Sequence, residues 1–443
     1  MNPEFERQLW LELDPGRVLV LVIVLAAWFT VMGMLDGRGF PGIAVPTAAI
    51  VTFIGMTVAW GGHRAGESVL TEIRERTWDT QRISALSPWR MSWGKLLGAT
   101  SYGWIGGGVC LGVFLITAND LAAVTRALIA LQAIGGAVLV HSLSLIGALV
   151  QAGHTTRQKG PIGAKFAALV VSLAYAKIAA SLGFAGSIDW YGYRIDALTF
   201  STALVVITAG WAVFGVYRMM CHELQVATRP WAWSAFLAYA TTVATGHVVG
   251  LRAVRPGLAV GLVCCLAATY LCAFMLVRDP LALRRVARYL RSGLWRRALE
   301  ASPLWLVSLA LATLLAIGCA GLGSTPSAPP AFGHPLGLVA IPLLLYTVRD
   351  LLLLLSVSYG AQAERAEINL LIYLTLLYGL APAILHLIGF DLGRTLLRPS
   401  PWERPVQAAI ILLAQCAIVA ALASQRYRAR IVPIAHAAAD PNR

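Results

Sequence analysis

Long apolar runs separated by short polar segments dominate the chain. A helix that crosses ~30 Å of hydrocarbon needs about 20 mostly apolar residues. Lipid offers the backbone no hydrogen-bond partners, so each run of this length is expected to be helical. The runs that qualify are 18–35, 42–61, 96–117, 122–150, 164–184, 197–217, 233–251, 257–277, 303–323, 336–356, 368–389 and 405–424. This pattern predicts an all-α polytopic membrane protein with about 12 transmembrane helices.

The distribution of charge predicts the orientation of these helices. The chain has 35 lysines and arginines against 21 acidic residues, a formal net charge of +14. If both termini are cytoplasmic, 26 of the 35 basic residues fall on the cytoplasmic side and 8 on the outer side, with Lys177 inside a span. Cytoplasmic loops of membrane proteins are enriched in lysine and arginine. The bias therefore favours both the span assignment and cytoplasmic termini.

The composition excludes several classes of protein. Hydrophobic residues make up 58% of the chain and charged residues 13%, against roughly 45–50% and about 25% in soluble domains. No polar stretch is long enough for a soluble catalytic domain, and no GxxxxGK[ST] phosphate loop occurs. The cysteines lack metal-site spacing. We therefore expect no enzyme and no cofactor or metal bound by this chain.

The polar segment between the second and third spans carries the most specific signal. Glu67–Ala85 is rich in helix formers and alternating charges, which predicts one amphipathic helix. Ser87-Pro88 ends it, because a residue before proline avoids the α conformation. The chain then enters the third span at Gly94-Lys95.

This segment resembles the first cytoplasmic loop of ABC-2-type permeases, the transmembrane subunits of ATP-binding-cassette (ABC) transporters. In that family an acidic and basic run precedes Gly-Thr-hydrophobic-Glu, leucines, Thr-Pro-Leu-Ser and a final Gly-Lys. The matching residues here are Glu75, Thr77, Trp78, Asp79, Leu86, Ser87, Pro88, Gly94 and Lys95, whereas Arg76 stands where the family usually has glycine. The likeness is specific over Asn2–Gly112 and extends to about Arg218, and residues 1–17 resemble the family's interfacial elbow helix.

The resemblance implies a function and a set of partners. It implies a permease of the exporter kind in a bacterial inner membrane, dimeric with itself or a homologue, and driven by separate ATPase subunits that bind ATP and magnesium. In such a permease the half 18–218 holds a coupling loop, residues 63–95, that docks on the ATPase. An exposed Trp78 among charges suits such an interface; the alternative is a solvated helix on lipid headgroups. The residues expected to couple are Glu72, Glu75, Arg76, Thr77, Trp78, Asp79 and Pro88.

Glycines recur along the third span. Gly94, Gly98, Gly103 and Gly107 give small-xxx-small spacing, which lets membrane helices approach closely. We expect these glycines to pack against neighbouring helices, and their helix, joined to the coupling loop, is a candidate for a moving interface.

The second half, 219–424, is followed by a predicted cytoplasmic tail, 425–443, and contains a basic segment, 278–302. Its arginines alternate with leucines and aromatic residues, which predicts an amphipathic helix on an anionic membrane surface. A second elbow helix is the alternative, and nothing indicates a nucleic-acid reader.

Two further groups of charges stand out in this half. Glu364, Arg365 and Glu367 could form a second, smaller docking loop or a solvated turn. Arg349-Asp350 interrupts an apolar run, so either charges lie at depth, where they are often functional, or the span ends there.

Two other classes of protein compete with the permease interpretation. An ion-coupled secondary transporter would need paired intramembrane carboxylates or broken helices at matching positions. An integral-membrane enzyme acting on lipid-linked substrates would need clustered acids or histidines near an interface, and the sequence offers only scattered Asp189, Asp196 and Asp391.

Overall fold

A computed structural model describes residues 2–36, 44–84, 86–152, 186–226, 228–248, 254–275, 281–321, 336–360 and 366–437. The chain divides into two compact units. The first comprises residues 1–189 and 193–228, and the second comprises 190–192 and 229–443. The sequence places the boundary between its halves at residue 218, within the last helix of the first unit.

The first unit is built mainly from α-helices, with two short π-helical segments and two short strands among its described residues. Its helices are α1 (Pro3–Glu12), α2 (Pro15–Asp36), α3 (Ala44–Phe53), π1 (Ile54–Trp60), α4 (Gly61–Arg74), α5 (Trp78–Arg82), α6 (Pro88–Trp93), π2 (Gly94–Gly98), α7 (Ser101–Thr117), α8 (Ala123–Ala152) and α9 (Ala197–Glu223). Strands β1 (Ser187–Trp190) and β2 (Tyr193–Asp196) pair as a hairpin before α9. Helices α4 and α9 both pack along α8, so α8 is the central helix of this unit.

From residue 229 onward, the described residues of the second unit form helices and the turns that join them. Its elements are α10 (Trp231–Val248), α11 (Val254–Met275), α12 (Ala282–Arg291), α13 (Trp295–Ala301), α14 (Leu304–Gly321), α15 (Leu336–Ser358), α16 (Ala366–Thr375), π3 (Leu376–Leu380), α17 (Ala381–Leu387), α18 (Asp391–Leu397) and α19 (Pro405–Ala437). Helices α10, α11, α14 and α15 form a core of leucines, alanines and cysteines, and α19 packs along α15.

Nine helices of the described residues are long and apolar enough to cross a membrane, which is compatible with an all-α, multi-pass membrane protein. They are Pro15–Leu35, Ala44–Arg74, Ala123–Ala152, Ala197–Glu223, Gly257–Phe274, Leu304–Gly321, Gly337–Ser358, Ile368–Leu387 and Pro405–Arg430. Segments Pro88–Gly98 and Ser101–Thr117, bent by 54°, add a tenth if they form one broken span. The predicted span 164–184 lies outside the described residues, and α10, at the predicted span 233–251, is not among the nine. The count of 12 stays a prediction.

The charges Arg349 and Asp350 lie in the middle of α15, and both are buried. The helix continues to Ser358, so the alternative in which the span ends at these residues is wrong. The Arg349 guanidinium donates two hydrogen bonds to Asp350 Oδ1, at 3.0 and 2.9 Å. The hydroxyls of Tyr270 and Tyr378 donate to Asp350 Oδ2, at 2.8 and 2.7 Å. These contacts compensate the buried charges and connect three helical segments through one carboxylate.

Candidate coupling site

The segment predicted as one helix over Glu67–Ala85 is two helices with a sharp turn between them, so that prediction is wrong. Helix α4 ends at Arg74, and α5 begins at Trp78. Arg76 between them has φ +60°, a left-handed conformation. The Thr77 amide donates to the Glu72 carbonyl at 2.9 Å, and the Arg76 amide donates to Ile73 at 3.2 Å. These bonds close a Schellman cap, which ends a helix and favours glycine at its left-handed position.

This geometry bears on one of the positions where the loop departs from the ABC-2 pattern that it resembles. Arg76 stands where the family usually has glycine, and the backbone there adopts the conformation that glycine accepts without a Cβ penalty. Arginine therefore keeps the turn at some cost in free energy and places an additional cation on its outside.

The turn and α5 present a continuous polar surface to solvent. Its members, which we call the coupling surface, are Glu75, Arg76, Thr77, Asp79, Thr80 and Ile83. The Asp79 side chain is 87% exposed, and Ile83 is 85% exposed. Arg82, at the edge of this surface, lies 3.6 Å from Asp79 and donates to the Glu223 carbonyl at 3.1 Å. The surface thus combines both signs of charge with one exposed apolar side chain.

Trp78 does not belong to this surface, and the expectation of an exposed aromatic anchor there is wrong. Its side chain is buried and lies in a core cluster with Val69, Met91, Leu96 and Leu145, among others. The bend at Arg76 reverses the face that the next residues present, so Trp78 points into the bundle. Its role in the structure is to fasten α5 to the helices behind it.

Glu72 is also internal and is the centre of an ionic network. Lys95 Nζ, fully buried, lies 2.5 Å from Glu72 Oε2 and 3.2 Å from Glu4 Oε1. Arg7 pairs with both Glu72 and Glu4. Gln81 of α5 donates to Glu72 Oε1 at 2.7 Å. The network therefore contains two carboxylates and two cations, and its charges cancel.

This network connects three elements that are far apart in sequence. Glu4 and Arg7 come from α1, Glu72 from α4 next to the turn, and Lys95 from π2 at the start of the third predicted span. A buried charge is strongly destabilising when its partner is removed. Separating these three elements would therefore cost a large amount of free energy.

The network also determines the protonation state of Glu4. Burial by itself raises the pKa of Glu4. Hydrogen bonds from Arg7 and Gln8 and the charge of Lys95 outweigh burial, so the pKa of Glu4 lies below its ordinary value. The pKa of Arg7 is raised, mainly by its hydrogen bond to Glu4, so this guanidinium stays charged.

Glycines allow α1 to approach the network closely. A Cβ built on Gly94 would lie 2.5 Å from Glu4 Cγ, and one on Gly98 would lie 2.6 Å from Gln8 Cβ. Gly103 and Gly107 lie further on, in α7, where added carbons would meet Met56 O at 3.2 Å and Thr57 Oγ1. All four glycines thus lie at contacts with neighbouring elements.

The second predicted span contains a π-helical segment just before α4. Widening of the helix at π1 lets Thr57 donate through its hydroxyl to the Gly103 carbonyl at 3.0 Å. His141 of α8 lies with Nε2 2.7 Å from the Thr57 carbonyl and is buried. The π-helix joins α3 and α4 into one continuous 44–74 helix, so the coupling surface is mechanically continuous with a predicted span.

The remaining predicted site residues have simpler positions. Pro88 is the first residue of α6, where Ser87 caps the helix by accepting from the Arg90 amide at 3.4 Å. Glu364 and Arg365 lie outside the described residues, as does the side chain of Glu367 in the first turn of α16.

Glu4, Arg7 and Lys95 belong to the site, but the sequence pattern does not identify them as its members. The pattern marks Lys95 only as part of the Gly-Lys pair at the start of the third predicted span. The available signal was a lone lysine at the start of an apolar run, which needs a buried partner if it is not at the surface.

Comparison with known proteins identifies no relative of this chain. No family model matches the chain, and neither a curated protein nor a solved structure matches it. Within the described ranges no group of three or more His, Cys, Asp and Glu side chains is arranged to hold a metal ion.

Proposed function

We propose that this chain is the permease subunit of an ABC transporter of the exporter kind, worked by separate ATPase subunits. The observation that carries the proposal is the arrangement at the turn after α4. There an exposed polar coupling surface is backed directly by a buried ionic network that reaches two further elements.

The geometry suits a lever. A force applied to Glu75 and Asp79 from outside acts on the end of α4 and on α5, which Trp78 fastens to the bundle. From Glu72 the buried pairs pass the displacement to α1 and to Lys95 at the start of the third predicted span. Because these pairs resist separation, the three elements move together rather than slide past one another.

The partners follow from this proposal. ATP and magnesium are bound by the ATPase, and this chain supplies no chemistry. Two permeases, identical or homologous, form the pore in a bacterial inner membrane with both termini in the cytoplasm. Helix α1 is the interfacial elbow: its Glu4 and Gln8 face the bundle, whereas Trp10 is 87% exposed and Leu11 62% exposed, as suits a helix at a membrane surface.

The alternative of an ion-coupled transporter draws on Asp350, a carboxylate buried in a predicted span. It already accepts hydrogen bonds from Arg349, Tyr270 and Tyr378 on both oxygens. A carboxylate with both oxygens occupied is a poor site for a transported cation, so we prefer the permease. For an enzyme acting on lipid-linked substrates, the described residues offer no comparable cluster of acids and histidines.

The test is co-purification with the ATPase encoded next to this chain. Variant E75Q/D79N removes two charges from the coupling surface without changing side-chain size, and we expect it to lose the ATPase. The matched control, D120N/D189N, removes two exposed charges elsewhere in the same unit and should retain it. An ATPase that stays bound to E75Q/D79N as tightly as to the control would refute the docking site.

A second variant separates docking from coupling. Lys95→Met breaks the buried network but leaves the coupling surface unchanged. We expect the ATPase to remain bound to folded Lys95→Met protein, while stimulation of its ATP hydrolysis by the permease falls. Full stimulation in this variant would show that the network transmits nothing.

A further inference from the structure

The basic segment of the second unit folds as a tight helical hairpin directly beside a membrane span. Helices α12 and α13 pack against each other, with Val286 and Ala298 buried. Gly293 between them has φ +70°, and the amide of Leu294 donates to the Tyr289 carbonyl at 2.9 Å, which closes the turn. Only Ser302 and Pro303 separate α13 from α14, a candidate span. The hairpin therefore lies at the level where a membrane surface meets the protein.

Its charge is almost entirely positive. The hairpin carries six arginines at 284, 285, 288, 291, 296 and 297 and a single acid, Glu300. Glu300 lies 3.7 Å from Arg229, which is outside the hairpin. Apart from Arg285, the arginine side chains have no ion-pair partner among the residues that the structure describes. Arg284, Arg288 and Arg291 follow an i, i+4, i+7 spacing and share one helix face.

Large apolar side chains are exposed next to these charges. Trp295 is 65% exposed and Leu299 55% exposed, one turn apart on α13. Leu290 and Leu294 are also exposed around the turn. A surface that binds nucleic acid or an acidic protein through charge alone does not require exposed leucines. A lipid bilayer, in contrast, presents phosphates and acyl chains side by side, which matches a surface of arginines and exposed apolar side chains.

We propose that this hairpin is a binding site for the phosphodiester headgroups of anionic membrane lipids. The arginines hold the phosphates through paired N–H donors, while Trp295 and Leu299 enter the boundary between headgroups and acyl chains. The site requires only that the protein lies in a membrane, so it does not depend on the proposed ATPase.

The experiment follows thermal unfolding of the full chain in mixed micelles with increasing phosphatidylglycerol, compared with phosphatidylcholine. We expect phosphatidylglycerol to raise the unfolding midpoint of the unmodified protein more than phosphatidylcholine. Removing two arginines in R284Q/R288Q should weaken the apparent affinity for phosphatidylglycerol by about 30-fold, at roughly 1 kcal/mol for each surface arginine. The control R428Q/R430Q removes two exposed charges from α19 and should respond as the unmodified protein does.

Two further measurements test whether the bound phosphate belongs to a membrane lipid and whether the exposed apolar side chains contribute to binding. Soluble glycerophosphoglycerol should give no stabilisation, because it lacks acyl chains; equal stabilisation would overturn the assignment to membrane lipid. The variant W295A/L299A should also weaken the response while keeping every charge.

Three results would overturn the proposal. The first is an unchanged phosphatidylglycerol response in R284Q/R288Q. The second is an equal loss in R428Q/R430Q, which would mean that total charge matters and the hairpin does not. The third is loss of the ATPase from R284Q/R288Q with the lipid response intact, which would make the hairpin a protein-docking surface.

Discussion

Replacing Lys95 with methionine perturbs the buried network most directly. The Lys95 side chain is fully buried and lies 2.5 Å from Glu72 and 3.2 Å from Glu4. Methionine has a similar length but no charge, so two carboxylates would share Arg7 as their one cation in the network. Removing one partner of a buried pair costs about 3–5 kcal/mol. At about 2–4 °C per kcal/mol for a unit of this size, the unfolding midpoint should fall by about 6–20 °C.

The assay is thermal unfolding of purified protein in detergent, with two companion variants. The control Arg74→Met breaks an exposed pair with Glu67, which should cost at most about 1 kcal/mol. The double variant Lys95→Met with Glu72→Gln removes charge from both sides, and it should recover much of the lost stability because no unpaired charge remains. A Lys95→Met midpoint no lower than that of Arg74→Met would refute the reasoning, as would a double variant less stable than the single one.

Three other changes test separate parts of the structure. Arg76→Gly should stabilise the protein by about 1 kcal/mol, because glycine accepts φ +60° without strain; an unfolding midpoint at or below that of the unmodified protein would contradict this. Glu4 has a lowered pKa, so its stabilisation is present above its unfolded pKa of about 4.5 and is lost as the pH falls through its folded value. The difference in midpoint between the unmodified protein and Glu4→Gln should therefore shrink as the pH falls below about 4.5, and a constant difference would exclude the linkage. Gly98→Leu should push α1 away from π2, since even a Cβ would lie 2.6 Å from Gln8 Cβ; protease cleavage within residues 1–17 should become faster, and unchanged cleavage would show that the contact is dispensable.

The apolar pattern predicts the helices well, because a membrane-spanning helix must be both long and apolar within a single segment. Nearly every predicted span within the described residues coincides with a helix, such as 18–35 with α2, which begins at Pro15, and 405–424 with α19, which begins at Pro405. The start of α6 at Pro88 also follows from local chemistry, since Ser-Pro is a common beginning of a helix.

The candidate site was less predictable because its partners are distant in sequence. The break at Arg76 decides which side chains of this segment face solvent, and both Glu72 and Trp78 are buried. A non-glycine residue at positive φ leaves no sequence signal of its own. Nothing local to Lys95 reveals that its carboxylates are Glu4 and Glu72, which are 91 and 23 residues away.

The central claim is that a separate ATPase grips the coupling surface, and photo-crosslinking tests it most directly. A benzophenone amino acid would replace Asp79 in one protein and Asp120, exposed in the turn that follows α7, in a second. The account predicts a crosslink to the ATPase from position 79, none from position 120, and a change in yield when ATP is added. A crosslink from position 120 with none from position 79 would contradict it.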